Sequence, residues 1–174
     1  MRRVIYGGAV SADLYLAGPG EVMDWLRWDE EVAAISAASW TGVDTMLIGR
    51  KTYDFAIRNH GGIPSQPGIR SILFSRSLAE APPGVDLVRE DAVDFVRSLK
   101  AERGGDIIVM GGGQLGSALL AAGLVDEIGL NLHPLLLGGG TPAFQPMPER
   151  LELEPLETRA LANGCALMRW RVVN

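Results

Sequence analysis

The residues best placed to do chemistry in this sequence are glycines. In Ile107-Ile108-Val109-Met110-Gly111-Gly112-Gly113-Gln114-Leu115-Gly116 an apolar run passes through glycines into a helical pattern. Glycines at such a point let backbone N–H groups at a helix N-terminus approach a phosphate, which the helix dipole then favours. Gly111, Gly113 and Gly116 also satisfy G-x-G-x-x-G, but a Rossmann fingerprint needs an acid about twenty positions on, where this chain has Asn131, His133 and Pro134. The alternative is that these glycines let a helix pack closely on a strand. A second stretch, Thr45-Met46-Leu47-Ile48-Gly49-Arg50-Lys51-Thr52-Tyr53, again turns through glycine into a helix, now with two cations and a hydroxyl at its start. Cations there are unfavourable by themselves, and a bound phosphate would account for them; solvated surface charge is the other explanation. A third stretch, Ile72-Leu73-Phe74-Ser75-Arg76-Ser77, ends a strand in hydroxyls around an arginine. Strand ends carrying Gly, Ser and Arg are what a ligand crevice at the carboxyl edge of an α/β sheet uses.

The elements that must position these motifs alternate. Strand patterns at 3–9, 45–48, 72–74, 107–110 and 128–137 are interspersed with helical patterns within 24–40, 91–101 and 114–122. Continuous apolar runs such as Met46-Leu47-Ile48 predict strands buried on both faces, hence a sheet covered by helices on both sides. In the tail at 156–173, Asn163-Gly164 between two runs is a hairpin turn signal. There Met168, Trp170 and Val172 alternate with Arg169 and Arg171, as in an antiparallel strand with one face in water. The expected fold is α/β: a three-layer α-β-α sandwich with a mostly parallel mixed sheet and an antiparallel C-terminal hairpin. The stretch 59–70, rich in Gly, Pro and Ser, is expected to be a surface loop that carries His60.

A chain of 174 residues, 47% hydrophobic and 21% charged, is long enough for one compact domain and short for two, so a single domain over 1–174 is expected. Its one cysteine, Cys165, cannot close an internal disulfide, and with His60 and His133 it forms no zinc-ligand spacing, so no metal is expected. A formal net charge of -5 with no run of Lys or Arg argues against a nucleic-acid partner. The start Met1-Arg2-Arg3 superficially resembles a secretory signal, but its apolar part is broken by Gly7-Gly8 and runs into Asp13, which reads as a buried first strand. No segment approaches the roughly 18 apolar residues of a membrane span, so a soluble, cytoplasmic protein is expected.

Taken in order, Ser11-Ala12-Asp13, Gly49-Arg50-Lys51-Thr52-Tyr53, Ser75-Arg76-Ser77 and Gly111-Gly112-Gly113 resemble the dihydrofolate reductase superfamily over nearly the whole chain. The sequence is most similar to the bacterial branch shared with the reductase domain of the bifunctional riboflavin-biosynthesis deaminase-reductase. That branch is marked by Ser-Leu-Asp-Gly near the N-terminus and Leu-Leu-Gly-Gly-Gly after a late strand, here Ser11-Ala12-Asp13-Leu14 and Leu136-Leu137-Gly138-Gly139-Gly140. Ala12 and Leu14 depart from the first motif. The resemblance implies an NADPH-dependent reductase with a mixed sheet between helices. It assigns the pyrophosphate to Gly111, Gly112, Gly113, Gln114 and Leu115, and the phosphates from the other side to Gly49, Arg50, Lys51 and Thr52. Ser75, Arg76, Ser77 and Arg89 would meet the adenosine 2′-phosphate, and the backbone of Ala9, with Leu16 and Ala17, would face the nicotinamide. The residues themselves agree on the cofactor: no carboxylate is placed to accept from a ribose 2′-OH, while arginines gather near the crevice.

A hydride acceptor develops negative charge that an acid or an ordered water must neutralise. Asp29 lies along the edge of the stripe formed by Trp25, Val32 and Ser36 and is the candidate acid. The alternative is that it caps or solvates the helix start, with Asp24 as the N-cap. Trp25 and Trp28 form either an aromatic wall over a flat heterocycle or plain core packing. Asp13 and Asn131 are polar residues in apolar strand contexts, and either could orient a ligand; the alternative for Asp13 is that it begins a turn. The expected function is hydride transfer from NADPH to a small-molecule substrate, heterocyclic or carbonyl, of pterin or aminopyrimidine type. The alternative is a nucleotide-binding module that takes NADPH without turnover. By base rate a homodimer is expected, formed through the C-terminal hairpin.

Overall fold

Alternate residues of the run Met46-Leu47-Ile48 enter different cores, and that alternation builds the fold. The computed structural model describes residues 1–63 and 67–173. Their elements, in chain order, are β1 (Val4–Ser11), β2 (Tyr15–Ala17), α1 (Glu30–Ser39), β3 (Val43–Gly49), α2 (Arg50–His60), β4 (Arg70–Phe74), β5 (Val85–Val88), α3 (Ala92–Ala101), β6 (Asp106–Met110), α4 (Gly113–Ala121), β7 (Glu127–His133), β8 (Thr141–Pro142), β9 (Glu152–Ala160) and β10 (Ala166–Val173). Leu47 joins Val96 and Leu99 of α3 and Leu115, Leu119 and Leu120 of α4 in the main core. Met46 and Ile48 point the other way, into a cluster with Leu73, Trp40 and Tyr53 of α2. On that second face Val32 of α1 packs with Leu161, Cys165 and Leu167. Helices thus cover both faces of the sheet, the expected three-layer arrangement.

The large sheet has the order β5-β4-β3-β6-β1-β7-β10-β9. From β5 to β7 every neighbouring pair is parallel, and β10 and β9 close the far edge antiparallel. The carboxyl ends of β4, β3, β6, β1 and β7 therefore share one edge of the sheet. All three glycine or serine motifs of the sequence leave their strands there.

Several expectations change. The N-cap of α1 is Asp29 and not Asp24: Asp29 has extended backbone and its Oδ1 accepts the Val32 N–H at 2.9 Å, whereas Asp24 is exposed ahead of the helix. His60 is the last residue of α2, which Gly61 closes in a left-handed conformation at φ 73°, so the expected loop at 59–70 begins later; its residues 64–66 lie outside the described residues. Strand β7 stops at His133 and not at Leu137, because Pro134 has no N–H to continue a ladder. The face of β10 expected in water is open at Arg171 and Val173, while Leu167 is buried on it and Arg169 pairs with buried Glu127. The short strands β2, β5 and β8 add to the expected set.

Candidate functional site

At the end of β6 the chain turns through Gly111 and Gly112 at φ 57° and 68°, a region that favours glycine. A Cβ on Gly111 would lie 3.1 Å from Thr52 Cγ2, and one on Gly112 would lie 3.3 Å from Thr52 Oγ1. Gly112 is the N-cap of α4 and Gly49 the N-cap of α2; neither start has a capping side chain or an acid in its first turn. Because β3 and β6 are neighbours, these two bare helix starts are side by side. The other glycines of the motif serve packing. A Cβ on Gly113 would fall 2.1 Å from the Pro142 carbonyl oxygen, and one on Gly116 would fall 2.4 Å from the Tyr6 ring. The packing explanation of the motif therefore holds for Gly113 and Gly116, while Gly111 and Gly112 keep the space beside Thr52 clear.

Arg50 ties the start of α2 to the end of β4. Its Nε lies 2.8 and 3.0 Å from the two Asp54 carboxylate oxygens, and its Nη1 donates to Ser75 Oγ at 3.3 Å and Ser77 Oγ at 3.1 Å. Ser75 Oγ also accepts the Leu78 N–H at 3.1 Å, which bends the chain after the strand. Arg89 donates to the Leu78 and Ala79 carbonyls at 2.9 and 2.7 Å and so holds the same turn. Lys51 and Arg76 are exposed and make no hydrogen bond or ion pair among the described residues. The structure thus gathers Gly49, Arg50, Thr52, Ser75, Ser77 and the Gly111-Gly112 turn along one edge.

The N-terminal motif is locked to the late glycine motif. Asp13 accepts the Ser11 hydroxyl at 2.6 Å, the Gly138 N–H at 2.8 Å and the Leu137 N–H at 3.1 Å. These bonds, the Ser11 hydroxyl foremost, hold its carboxyl down at about 2. Leu14, where the related branch has Gly, takes φ 63°, a strained conformation for leucine. Leu16 packs on the main core and Ala17 is buried; Ala9 pairs with Asn131 across β1 and β7.

On the substrate side the candidates separate. Asp29 Oδ1 is spent on the cap of α1, and Trp28 is 66% exposed, so plain core packing does not account for it. Trp25 donates its Nε1–H to the Val22 carbonyl and packs edge-on against His133, with centroids 5.1 Å apart at 85°. His133, which motif reasoning passed over, stands beside Trp25. It is 1% exposed, its Nδ1 accepts the Arg27 N–H at 3.2 Å, and among the described residues its Nε2 has no partner, like the buried Oδ1 of Asn131. Burial, with the Arg27 charge second, pushes the imidazole pKa below its usual value. The signal available in the sequence was the spacing: Asn131 and His133, two apart on a strand, share a face. A cavity of about 480 Å³ lies elsewhere, at the amino-terminal edge of the sheet among Arg3, Asp126, Glu127, Arg169 and Arg171. Those charges are paired, with one another or with Lys100, Asp106, Glu154 and Glu157.

Known proteins share this architecture. The family model of the RibD C-terminal domain matches residues 2–167. The Bacillus subtilis (strain 168) protein YyaP, itself uncharacterised, is 28% identical over 173 residues, covering 94% of this chain and 91% of its own. A protein of Shewanella sp. PV-4 named for riboflavin biosynthesis superposes with a TM-score of 0.86 at 24% identity, over 99% of each chain. The diaminohydroxyphosphoribosylaminopyrimidine deaminase/5-amino-6-(5-phosphoribosylamino)uracil reductase of Thermotoga maritima gives 0.75 at 16% identity, over 99% of this chain and 57% of that one. The Enterococcus faecalis dihydrofolate reductase, complexed with NADP(H), gives 0.72 at 13% identity, over 99% and 97%. The fold is of the reductase type, and the chain belongs to the RibD C-terminal domain family.

Proposed function

We propose that this chain is an NADPH-dependent reductase whose substrate is a small heterocyclic or carbonyl compound, of pterin or aminopyrimidine type. The observation that carries the reading is the pair of bare helix starts: α2 and α4 both begin on glycine, without capping side chain or acid, and lie side by side. Each helix start presents about four N–H groups with no partner inside the helix, a ready anion site. The glycines fit a pyrophosphate, because a Cβ at Gly111 or Gly112 would crowd Thr52 and fill the space between the two starts. Gly111, Gly112, Gly113, Gln114 and Leu115 then hold the phosphates from one side and Gly49, Arg50, Lys51 and Thr52 from the other. Arg76, with Ser75 and Ser77, meets the 2′-phosphate, while Arg89 holds the turn that carries them. Ala9, Leu16 and Ala17 border the ring end. NADPH supplies the hydride; the chain's residues hold the dinucleotide and orient the acceptor. Titration with NADPH and NADH tests this. The expected preference for NADPH is about two to four powers of ten, from two charge-assisted pairs, and collapses in Arg76→Ala. Absence of binding to either would mean that the glycines serve packing alone.

The engaged state of Asp13 and Asp29 favours a second reading, NADPH binding without turnover. Asp29→Asn separates the two. Asparagine caps a helix about as well as aspartate, so the fold is kept while the acid is lost. In the reductase reading, NADPH oxidation in the presence of a pterin or aminopyrimidine falls in this variant with an unchanged melting temperature. In the second reading the wild-type protein shows no oxidation with any pterin, aminopyrimidine, quinone or ketone. For the assembly we propose a homodimer through β9, in which every residue but Glu157 is exposed, Leu153 and Leu156 included. Sedimentation at monomer mass would overturn it.

A further inference from the structure

We propose that His133 and Asn131 form a donor–acceptor pair that reads the polar edge of the hydride acceptor, an inference that rests on the reductase reading above. The tautomer follows from one contact. The Arg27 N–H points at His133 Nδ1 at 3.2 Å, so Nδ1 is the acceptor and the proton of the neutral ring is on Nε2. That Nε2–H is buried without a partner, and so is the Asn131 Oδ1 acceptor two residues earlier on β7. Buried polar groups are almost always paired, and two orphans of opposite type on one strand ask for a common partner. Both project to the α1 side of the sheet, since the intervening Leu132 and the preceding Leu130 pack into the main core on the other side.

Their place in the sheet agrees. Asn131 is in register with Ala9 and His133 with Ser11 at the carboxyl end of β1, and β1 lies between β7 and the glycine-bearing β6. The pair is thus one strand beyond the proposed cofactor edge, on the side where an acceptor would lie. Burial keeps the imidazole neutral, and Trp25 fixes the ring edge-on, so Nε2–H is a preset donor. Residues two apart on a strand are separated by about 6.6 Å, a gap that a six-membered ring with its exocyclic groups spans. The fitting edge offers an acceptor to His133 and a donor to Asn131, as a cyclic amide with an amino group does. A simple quinone or ketone offers acceptors alone.

The chain has two histidines, so 15N-histidine labelling gives a readout independent of turnover. Addition of 5,6-diaminouracil is expected to move the His133 Nε2 signal and leave His60 in place, while 1,4-naphthoquinone moves neither. His133→Asn keeps an oxygen to receive the Arg27 N–H but removes the Nε2 donor. It should weaken diaminouracil binding about tenfold at unchanged NADPH affinity. His133→Gln, which restores an N–H near the Nε2 position, should recover part of the loss, and Asn131→Leu should repeat it. Diaminouracil binding that leaves the His133 signal still overturns the proposal, as does a His133→Asn protein that binds at wild-type strength. No binding at all also overturns it and assigns the pair to a buried water. A His133 response to diaminouracil in a protein that fails to bind NADPH supports the pair and removes the cofactor reading instead.

Discussion

Helices α1 and α3 start on Asp29 and Asp91, whose carboxylates accept N–H groups of the first turn, and they carry Glu30, Glu31 and Asp94 just inside. Helices α2 and α4 start on Gly49 and Gly112 with no side-chain cap and no acid, and α2 adds Arg50 and Lys51. All four ends face the same electrostatic problem, a row of N–H groups with positive potential. At α1 and α3 the chain solves it with its own carboxylates. At α2 and α4, which follow the adjacent strands β3 and β6, it leaves the solution to something else. A helix start where the expected cap is missing is therefore more informative about a ligand than one where it is present.

The sharpest way to break this contrast is to give α2 the acid that α1 and α3 have. Lys51→Glu should lower NADPH affinity about tenfold to a hundredfold, since it reverses a charge beside the phosphates. It should at the same time raise the melting temperature of the ligand-free protein, because an acid in the first turn stabilises a helix by about 0.3–1 kcal/mol. An unchanged affinity would return Lys51 to plain surface charge. The converse change removes the cap from α3. Asp91→Ala should cost about 1 kcal/mol in urea unfolding with NADPH binding unaltered. Were affinity to fall in step, α3 would belong with the ligand-facing starts and the division would fail.

The half proposed to face the cofactor was the more legible in the sequence, and the reason is local. An apolar run followed by Gly111-Gly112-Gly113, or by Gly49-Arg50-Lys51, encodes a strand, a turn and a helix start within ten residues, so these strands and the carboxyl edge they share could be read directly, though not their order in the sheet. The other half depends on contacts across the chain. Trp25, Val32 and Ser36 have helical spacing, yet the chain at Trp25 is irregular, its ring held against His133 from a distant strand, and the helix waits until Glu30. His133 and Asn131 stand in an apolar run whose two faces meet different layers, and a single sequence does not tell which face is which. Leu14 shows the limit for motifs: where the branch has glycine, this chain takes φ 63°, a conformation that favours glycine, with a leucine. Strand β5, which directly follows Pro82-Pro83-Gly84, is only four residues long and lies at the sheet edge, where pattern is weakest.

Asp13 places the loop at 137–138 with α1 and α3 among the N–H rows that the chain satisfies itself, and this can be tested by pH. Its carboxyl is held down at about 2 from an ordinary 3.8 by the Ser11 hydroxyl and then by the Gly138 and Leu137 N–H groups. A carboxyl whose pKa is lower folded than unfolded adds stability that is complete above the unfolded value and disappears as pH falls through the folded one. The contribution should therefore be intact at neutral pH and be lost between about pH 4 and pH 2. Melting curves recorded across that range should fall more steeply for the wild type than for Asp13→Asn, which has no proton to take up. The effect is the smallest of those expected, because the group is near solvent. Parallel curves would mean that Asp13 does not hold the late glycine loop in the folded protein, and that this loop, like the starts of α2 and α4, is left open for a ligand.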